Sequence, residues 1–258
     1  MLYSIIGTGN MAWFLAQKLT AAGHHCTGIW GRNPDAAELL ATDIRIKPYN
    51  ALHEIKDGDM DMCFLALSDV AIETIAKKLS FEKTVLVHTA GSVPVNVLTP
   101  HARDCAVLWP VYSILKNSLP RHREVPCAWE GTTDKARRYI QSIAHGLTDV
   151  LFEAWGDQRR WLHLSAVIGN NFINHLMAVC EQICKEQQLP FDVMQPIIKQ
   201  TFERIGDHHP YELQTGPAKR RDTITIGNQT DLLKHHPDWQ AVYKAITTSI
   251  DNMYKNKG

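Results

Sequence analysis

The chain has 258 residues, 45% of them apolar, with 27 Lys and Arg set against 27 Asp and Glu. That length and apolar content suit two modest domains, each with a core of its own. A formal charge of zero excludes the strong basic field that holds nucleic acid or an anionic membrane, so neither is expected as a partner.

The opening Met1-Leu2-Tyr3-Ser4-Ile5-Ile6 runs straight into glycine, without the basic stretch and long apolar run of a signal peptide. Nor does any stretch approach the ~20 uninterrupted apolar residues of a membrane span, so a cytoplasmic protein is expected. Leu2 to Ile6 reads as a strand, Met11 to Ala22 as a helix and Cys26 to Trp30 as a second strand. Asn33-Pro34-Asp35 opens a short helix, a capping residue followed by a first-turn proline. Ile44-Arg45-Ile46 reads as a brief strand, Met62 to Leu67 as a buried one, and Asp69 to Leu79 as a helix. Strands follow at Thr84 to His88, Ala106 to Trp109 and Val125 to Trp129, then a helix from Thr133 to His145 and a last strand at Val150 to Phe152. Such alternation is the grammar of a mostly parallel, doubly wound α/β sheet.

After Trp155-Gly156-Asp157 the strand signal all but ends. Gln158 to Gln188 predicts one long helix, Pro190 to Ile205 a second, and Thr223 to Lys234 and Trp239 to Tyr254 two more, with a polar loop over His208 to Pro217. The boundary is therefore set at 155/156, giving an α/β domain over 1–155 and an all-α domain over 156–258. Six cysteines, Cys26, Cys63, Cys105, Cys127, Cys180 and Cys184, are expected to stay free in a chain with no export signal. Cys180 and Cys184 stand four apart on a helical pattern, yet free cysteine usually behaves as a small buried hydrophobe, so no metal is expected. Met177, Met194 and the tryptophans are read as core.

Gly7-Thr8-Gly9-Asn10-Met11-Ala12 fits the dinucleotide fingerprint G-x-G-x-x-G/A, and it follows a strand and opens a helix as that fingerprint requires. Gly7 permits the tight turn. Gly9 lets the backbone approach a pyrophosphate, whose charge meets the amides and positive dipole end of the helix, and Ala12 keeps that helix close to the strand. An NAD-preferring site places Asp or Glu at the end of the second strand for the ribose 2′-OH, but this chain reads Trp30-Gly31-Arg32-Asn33 there. A guanidinium suits a 2′-phosphate, so NADP is the expected cofactor. Ligands of open α/β sheets sit beyond the carboxyl ends of the strands, which brings in Leu67, Ser68, His88 and Thr89 as cofactor contacts. Asp69 caps its helix, and His88 is read either as a proton donor facing substrate or as a satisfied strand-end histidine.

The segment Trp161 to Leu176 is apolar on most sides, which predicts a largely buried helix. His163, Asn170 and Asn174 fall at i, i+7 and i+11, one narrow face of a regular helix, with Asn171 at its margin. Buried amides and imidazoles need partners, so this stripe is read as facing a small-molecule substrate in an interdomain cleft, against the alternative of a hydrogen-bond network between helices. His163 is the candidate general acid and Asn170, Asn171 and Asn174 orient the substrate. Lys219-Arg220-Arg221-Asp222 reads by default as a solvated charge cluster, with an anionic substrate or a subunit contact as the functional alternatives.

The fingerprint, Gly31-Arg32-Asn33-Pro34, His88-Thr89-Ala90-Gly91-Ser92, the His163 to His175 helix and Gln214 to Asp222 together resemble one family over nearly the whole chain. It is the Rossmann-like NADP oxidoreductases with a C-terminal domain of unknown function 2520. The N-terminal half is also similar to pyrroline-5-carboxylate reductase and the deazaflavin-dependent NADP oxidoreductases, in the wider 6-phosphogluconate dehydrogenase-like group. The resemblance implies a Rossmann domain, a 6-phosphogluconate dehydrogenase-like helical domain and a homodimer packed through the helices. It names no substrate. The chain departs from the family pattern at Ala90, where serine is common, and at Leu108 to Ser113, where a Tyr-Pro-Met-Gln run is usual. The leading expectation is an oxidoreductase that passes hydride between nicotinamide and a small C=O or C=N substrate. The alternative is an NADP-binding sensor without turnover, kept open because the Lys-and-Asn pair of the group's hydroxyacid dehydrogenases is not evident at the start of the long helix.

Overall fold

The computed structural model describes residues 1–255. Its elements fall into two compact units, Met1–Asn171 and the residues from Phe172 onward.

In the first unit, β1 (Leu2–Ile6), β2 (His25–Trp30), β3 (Met62–Leu65), β4 (Val85–His88), β5 (Cys105–Pro110), β6 (Cys127–Gly131) and β7 (Leu151–Glu153) form one sheet in the order 2-1-3-4-5-6-7. The first five pair in parallel, β6 runs antiparallel to β5, and β7 follows β6 in parallel. Parallel strands need crossovers, and helices supply several of them: α1 (Asn10–Ala21), α2 (Pro34–Asp43), α3 (Asp69–Ala76) and α4 (Asp134–Ala144). Burying both faces is what makes β3 and Val85 to Val87 of β4 apolar without interruption, and both strands are buried at every position. One face packs Tyr3, Ile5, Phe64, Val85 and Val87 with Phe14, Leu15 and Leu19 of α1. The other packs Ile6, Cys63, Leu65 and Leu86 with Ile72 and Ile75 of α3.

Two helix starts follow directly from the sequence. Asn33 accepts from the Ala36 amide at 3.2 Å ahead of Pro34, and Thr133 accepts from the Ala136 amide at 3.1 Å. Ile44-Arg45-Ile46 forms no strand. Arg45 takes a left-handed φ of 60° and the Ile46 amide turns back to the Ala41 carbonyl at 2.9 Å, so these residues close α2.

The long helix expected over Gln158 to Gln188 is present in continuous form but not as a regular α-helix. It comprises α5 (Gly156–Ala166), a π-helical turn over Val167–Phe172, and α6 (Ile173–Glu186). The compact units divide inside that turn, beyond the change of sequence grammar near residue 155. The reason lies at Arg159, fully buried in the first unit, where it pairs with Glu130 of β6 and donates to the Val93 carbonyl at 2.6 Å. A guanidinium so placed ties α5 to the sheet. The expectation that Trp161 to Leu176 is largely buried is not met, since Trp161 and Ile168 are 70% and 52% exposed.

The second unit is all helical: α6, α7 (Gln195–Asp207), α8 (Pro210–Leu213), α9 (Pro217–Arg220), α10 (Thr223–Leu232) and α11 (Pro237–Tyr254). The segment read as a loop over His208 to Pro217 contains α8 and leads into α9, both opened by proline. Among its described residues only Ala218 is fully buried, while Ile197, Phe202, Ile224, Leu232 and Met253 are exposed. Met177 and Met194, read as core, are half-buried here. No helix among the described residues is long and apolar enough to cross a membrane.

Candidate dinucleotide and substrate sites

Five parallel strands present their carboxyl ends along one edge, and β1 stands between β2 and β3, where the chain winds away in opposite directions. That switch point is where an open α/β sheet leaves a crevice. Gly7 turns the chain there with φ at 130°, and a Cβ on it would lie 2.1 Å from the Ala66 carbonyl oxygen. No other residue satisfies both the angle and the space. Gly31 is similarly confined, its missing Cβ falling 2.6 Å from Cγ2 of Thr8. Gly9 is the opposite case, since no atom stands within 4 Å of where its Cβ would be. It also caps α1 without a side chain, and no acidic residue sits in the first helical turn. Helix amides thus face open space over bare backbone, a cradle that fits a pyrophosphate.

A cavity of about 650 Å³ opens beside this turn. Gly7, Thr8 and Gly9 line it with Arg32 and Asn33 from the end of β2, Leu67 and Ser68 from the end of β3, and one face of α3. Met11 is half-buried and Ala12 fully buried against the sheet, as the fingerprint assigns them. Asn10 presents its side chain elsewhere, accepting from the Lys116 amide of the β5–β6 loop at 3.1 Å.

The structure places His88 and Thr89 differently from the direct contacts expected of them. Both are buried at the end of β4, Thr89 donating to the Leu65 carbonyl at 3.5 Å and His88 accepting from the Ala90 amide at 3.2 Å. Neither role read for His88 is met in full: the ring is buried within the fold, but its Nε2 is left without a hydrogen-bond partner rather than satisfied. Burial, and then the charge of Arg159, push its pKa down to about 3, so it stays neutral and is no proton donor near pH 7. Asp69 begins α3 and accepts from the Ser92 hydroxyl, which joins the loops after β3 and β4.

A second cavity, about 610 Å³, lies at the end of β5. Trp109, Val111, Tyr112 and Ser113 line it from the sheet side, His163 and Ala166 from α5, and Val167, Asn170 and Asn171 from the π turn. His163 is one helical turn past the buried Arg159 and rests on Trp109, ring centroids 5.5 Å apart. A Cβ on Gly91 would strike both rings, at 2.6 Å from His163 and 2.7 Å from Trp109, so the β4 loop packs directly beneath them. The Asn170 side-chain amide donates to Oδ1 of the Asn171 side chain at 3.4 Å.

His163, Asn170 and Asn171 are therefore brought together, but on a face different from the one counted on a regular helix. A π turn winds fewer degrees per residue, so the i, i+7, i+11 stripe breaks between Val167 and Phe172. Asn174 lies beyond it on α6, in the second unit, and is exposed. Trp109, Val111, Tyr112 and Ser113 were not among the expected site residues, although the family resemblance places the run Leu108 to Ser113 beside the nicotinamide region. The strand-end rule that selected Leu67 and His88 would have found them had it been applied to β5 as well. Cys180 and Cys184 are half-buried and free, and among the described residues no group of three His, Cys, Asp or Glu side chains could hold a metal.

Comparison with known proteins agrees with this arrangement. Residues 3–91 match the family described as NADP oxidoreductase, coenzyme F420-dependent, and residues 125–250 match a domain of unknown function, DUF2520. The chain is similar to a "putative NADP oxidoreductase" from Bacteroides fragilis at 30% identity, TM-score 0.88, over 97% of this chain and 98% of that one. It shares its fold with 1-pyrroline-5-carboxylate reductase from Streptococcus pyogenes, at 17% identity and TM-score 0.63, over 99% of this chain and 98% of that one. The same holds for an imine reductase from Myxococcus stipitatus in complex with NADP+, at 11% identity and TM-score 0.67, over 100% and 95% of the two chains. No curated protein matches the chain in sequence.

The buried His88 gives a pH-dependent stability. Its folded pKa lies below its unfolded value, so the unfolded chain binds the extra proton as pH falls from about 6.5 toward 3, and stability drops through that window by up to about 1.4 kcal/mol per pH unit. In urea unfolding at pH 7, 6 and 5, His88→Gln should lose stability less steeply than the native chain. Parallel slopes would refute the assignment.

Proposed function

The chain belongs to the family of NADP oxidoreductases that carries the DUF2520 domain, and we propose that it transfers hydride between NADP and a small C=O or C=N substrate held beside His163. The observation that carries this reading is the single edge on which both cavities open. The ends of β2, β1 and β3 border the first, and the end of β5 borders the second. From β2 to β5 is four strand spacings, about 19 Å at roughly 4.8 Å each. An extended dinucleotide lying along that edge has its phosphates over Gly9 and its far ring near Gly91.

Bound nicotinamide supplies or accepts the hydride. The residues of the chain do the rest. Gly9 and the α1 amides hold the pyrophosphate, and the Arg32 fork meets the 2′-phosphate. His163 holds the proton that the substrate oxygen or nitrogen takes up as hydride arrives, and its Trp109 and Gly91 contacts fix the ring in place. Asn170, Asn171, Tyr112 and Ser113 supply uncharged donors and acceptors to orient the substrate. Among the described residues that line this second cavity none is acidic or a lysine or arginine, which supports a small polar substrate over one gripped by charge.

The working unit in this reading is a homodimer joined through the helical region. Support comes from the second unit, whose helices leave Ile197, Phe202, Ile224, Leu232 and Met253 exposed and enclose almost nothing. Apolar helix faces without a core are stable only when something covers them.

Arg32→Ala should weaken NADPH binding about ten-fold or more while leaving NADH nearly unchanged, as measured by calorimetric titration. Equal losses for the two cofactors would remove Arg32 from the 2′-phosphate. A spectrophotometric screen of aldehydes, keto acids and cyclic imines for NADPH oxidation should find turnover, and His163→Gln should lower kcat about 100-fold or more and flatten one limb of its pH profile. Tight NADPH binding with silence across the screen would instead favour a sensor. Light scattering on the purified protein should give twice the chain mass, and a monomer at micromolar concentration would end the dimer proposal.

A further inference from the structure

The cofactor cavity contains a cation that the fingerprint does not announce. Helix α3 runs along the cavity wall and contributes Val70, Ala71, Thr74 and Ile75, and the same face continues past its end to Lys78. Positions 70, 74 and 78 are successive helical turns, so Lys78 stands on the wall two turns beyond Val70. Arg32 lines the same cavity from the end of β2.

Neither cation is neutralised by a described residue. No Asp or Glu is among the lining residues, and neither Arg32 nor Lys78 forms a side-chain hydrogen bond or ion pair with any described residue. The contrast with its neighbour is direct, since Lys77 pairs with Glu73 at 2.7 Å on the adjoining face. Two unpaired cations bordering one concave, carboxylate-free space create a field suited to a phosphomonoester, whose charge near neutral pH is about −1.5 to −2. One guanidinium leaves part of that charge unmatched. An ammonium on a flexible stem supplies the complement as a point charge, where the guanidinium supplies a planar fork.

We propose that Lys78 is a specificity-determining residue, the second half of a two-cation clamp on the 2′-phosphate of the dinucleotide. This rests on the dinucleotide reading of the cavity and adds to it a residue outside the glycine fingerprint and the strand-end arginine. A ribose that carries only the 2′-hydroxyl gains little from Lys78, so the residue raises preference for the phosphorylated cofactor without altering the rest of the binding.

The test is titration calorimetry of the full-length protein with NADPH, NADH and adenosine 2′,5′-bisphosphate, comparing the native chain with Lys78→Gln and with Lys77→Gln as a control. Lys78→Gln is expected to weaken NADPH and the bisphosphate about ten-fold, to leave NADH within two-fold, and to reduce the salt dependence of NADPH binding. Lys77→Gln should change none of these. NADPH binding to Lys78→Gln as tight as to the native chain would overturn the role of Lys78 while leaving the dinucleotide site intact. A native chain that binds neither NADPH nor NADH would overturn the dinucleotide reading and this proposal with it.

Discussion

At the end of β1 the backbone passes so close to the Ala66 carbonyl that no side chain fits at Gly7, and the required φ of 130° lies where only glycine is unstrained. Much of the site's architecture depends on that crossing. It lets β1 pair on both sides, aims the start of α1 over the sheet edge, and leaves Gly9 facing open space. The Gly31 and Thr8 contact adds a second constraint from β2, so the turn is held from two directions. A binding cradle made of main chain has little side-chain entropy to lose when a ligand arrives, which is the physical advantage of building it from glycine.

The second site is organised around a buried charge. Arg159 reaches Glu130 and the Val93 carbonyl inside the first unit, and α5 is thereby anchored one turn before His163. Leaving either partner of such a pair alone in the interior costs about 3–5 kcal/mol, so the anchorage is strongly specified even though the pair itself adds little net stability. The neutral His88 beside it is part of the same economy, because a second full positive charge there would have no counter-ion. The placement of His163 is inherited from groups that do not themselves line its cavity.

Much of this was legible in the sequence, and the reasons differ by element. The first five strands and α1 to α4 were found because burial on two faces, capping by Asn33 and Thr133 and the glycine fingerprint are local signals that agree with one another. The family motifs extended that reading to the whole chain. Counting on a helix put His163, Asn170 and Asn171 near one another, and the structure brings the three to one cavity. That count erred at Asn174 because a π turn has no sequence signature that periodicity detects. Thr89 and His88 misled because a strand end determines where a residue lies along the sheet but not whether its side chain points inward. Lys78 was invisible for another reason: its significance comes from neighbours distant in sequence, which only the fold brings to one cavity. The burial expected for Trp161 to Leu176 was overstated, since an apolar composition says that a surface is to be covered without saying by what.

If the bare turn over Gly7 to Gly9 receives the pyrophosphate, a crystal structure of the protein with NADPH will show it there. Phosphate density is expected above Gly9, within hydrogen-bond reach of the first amides of α1, with the nicotinamide directed toward Gly91 and His163. A cofactor bound elsewhere, with that turn vacant or closed by side chains, would rule out the turn as the pyrophosphate site.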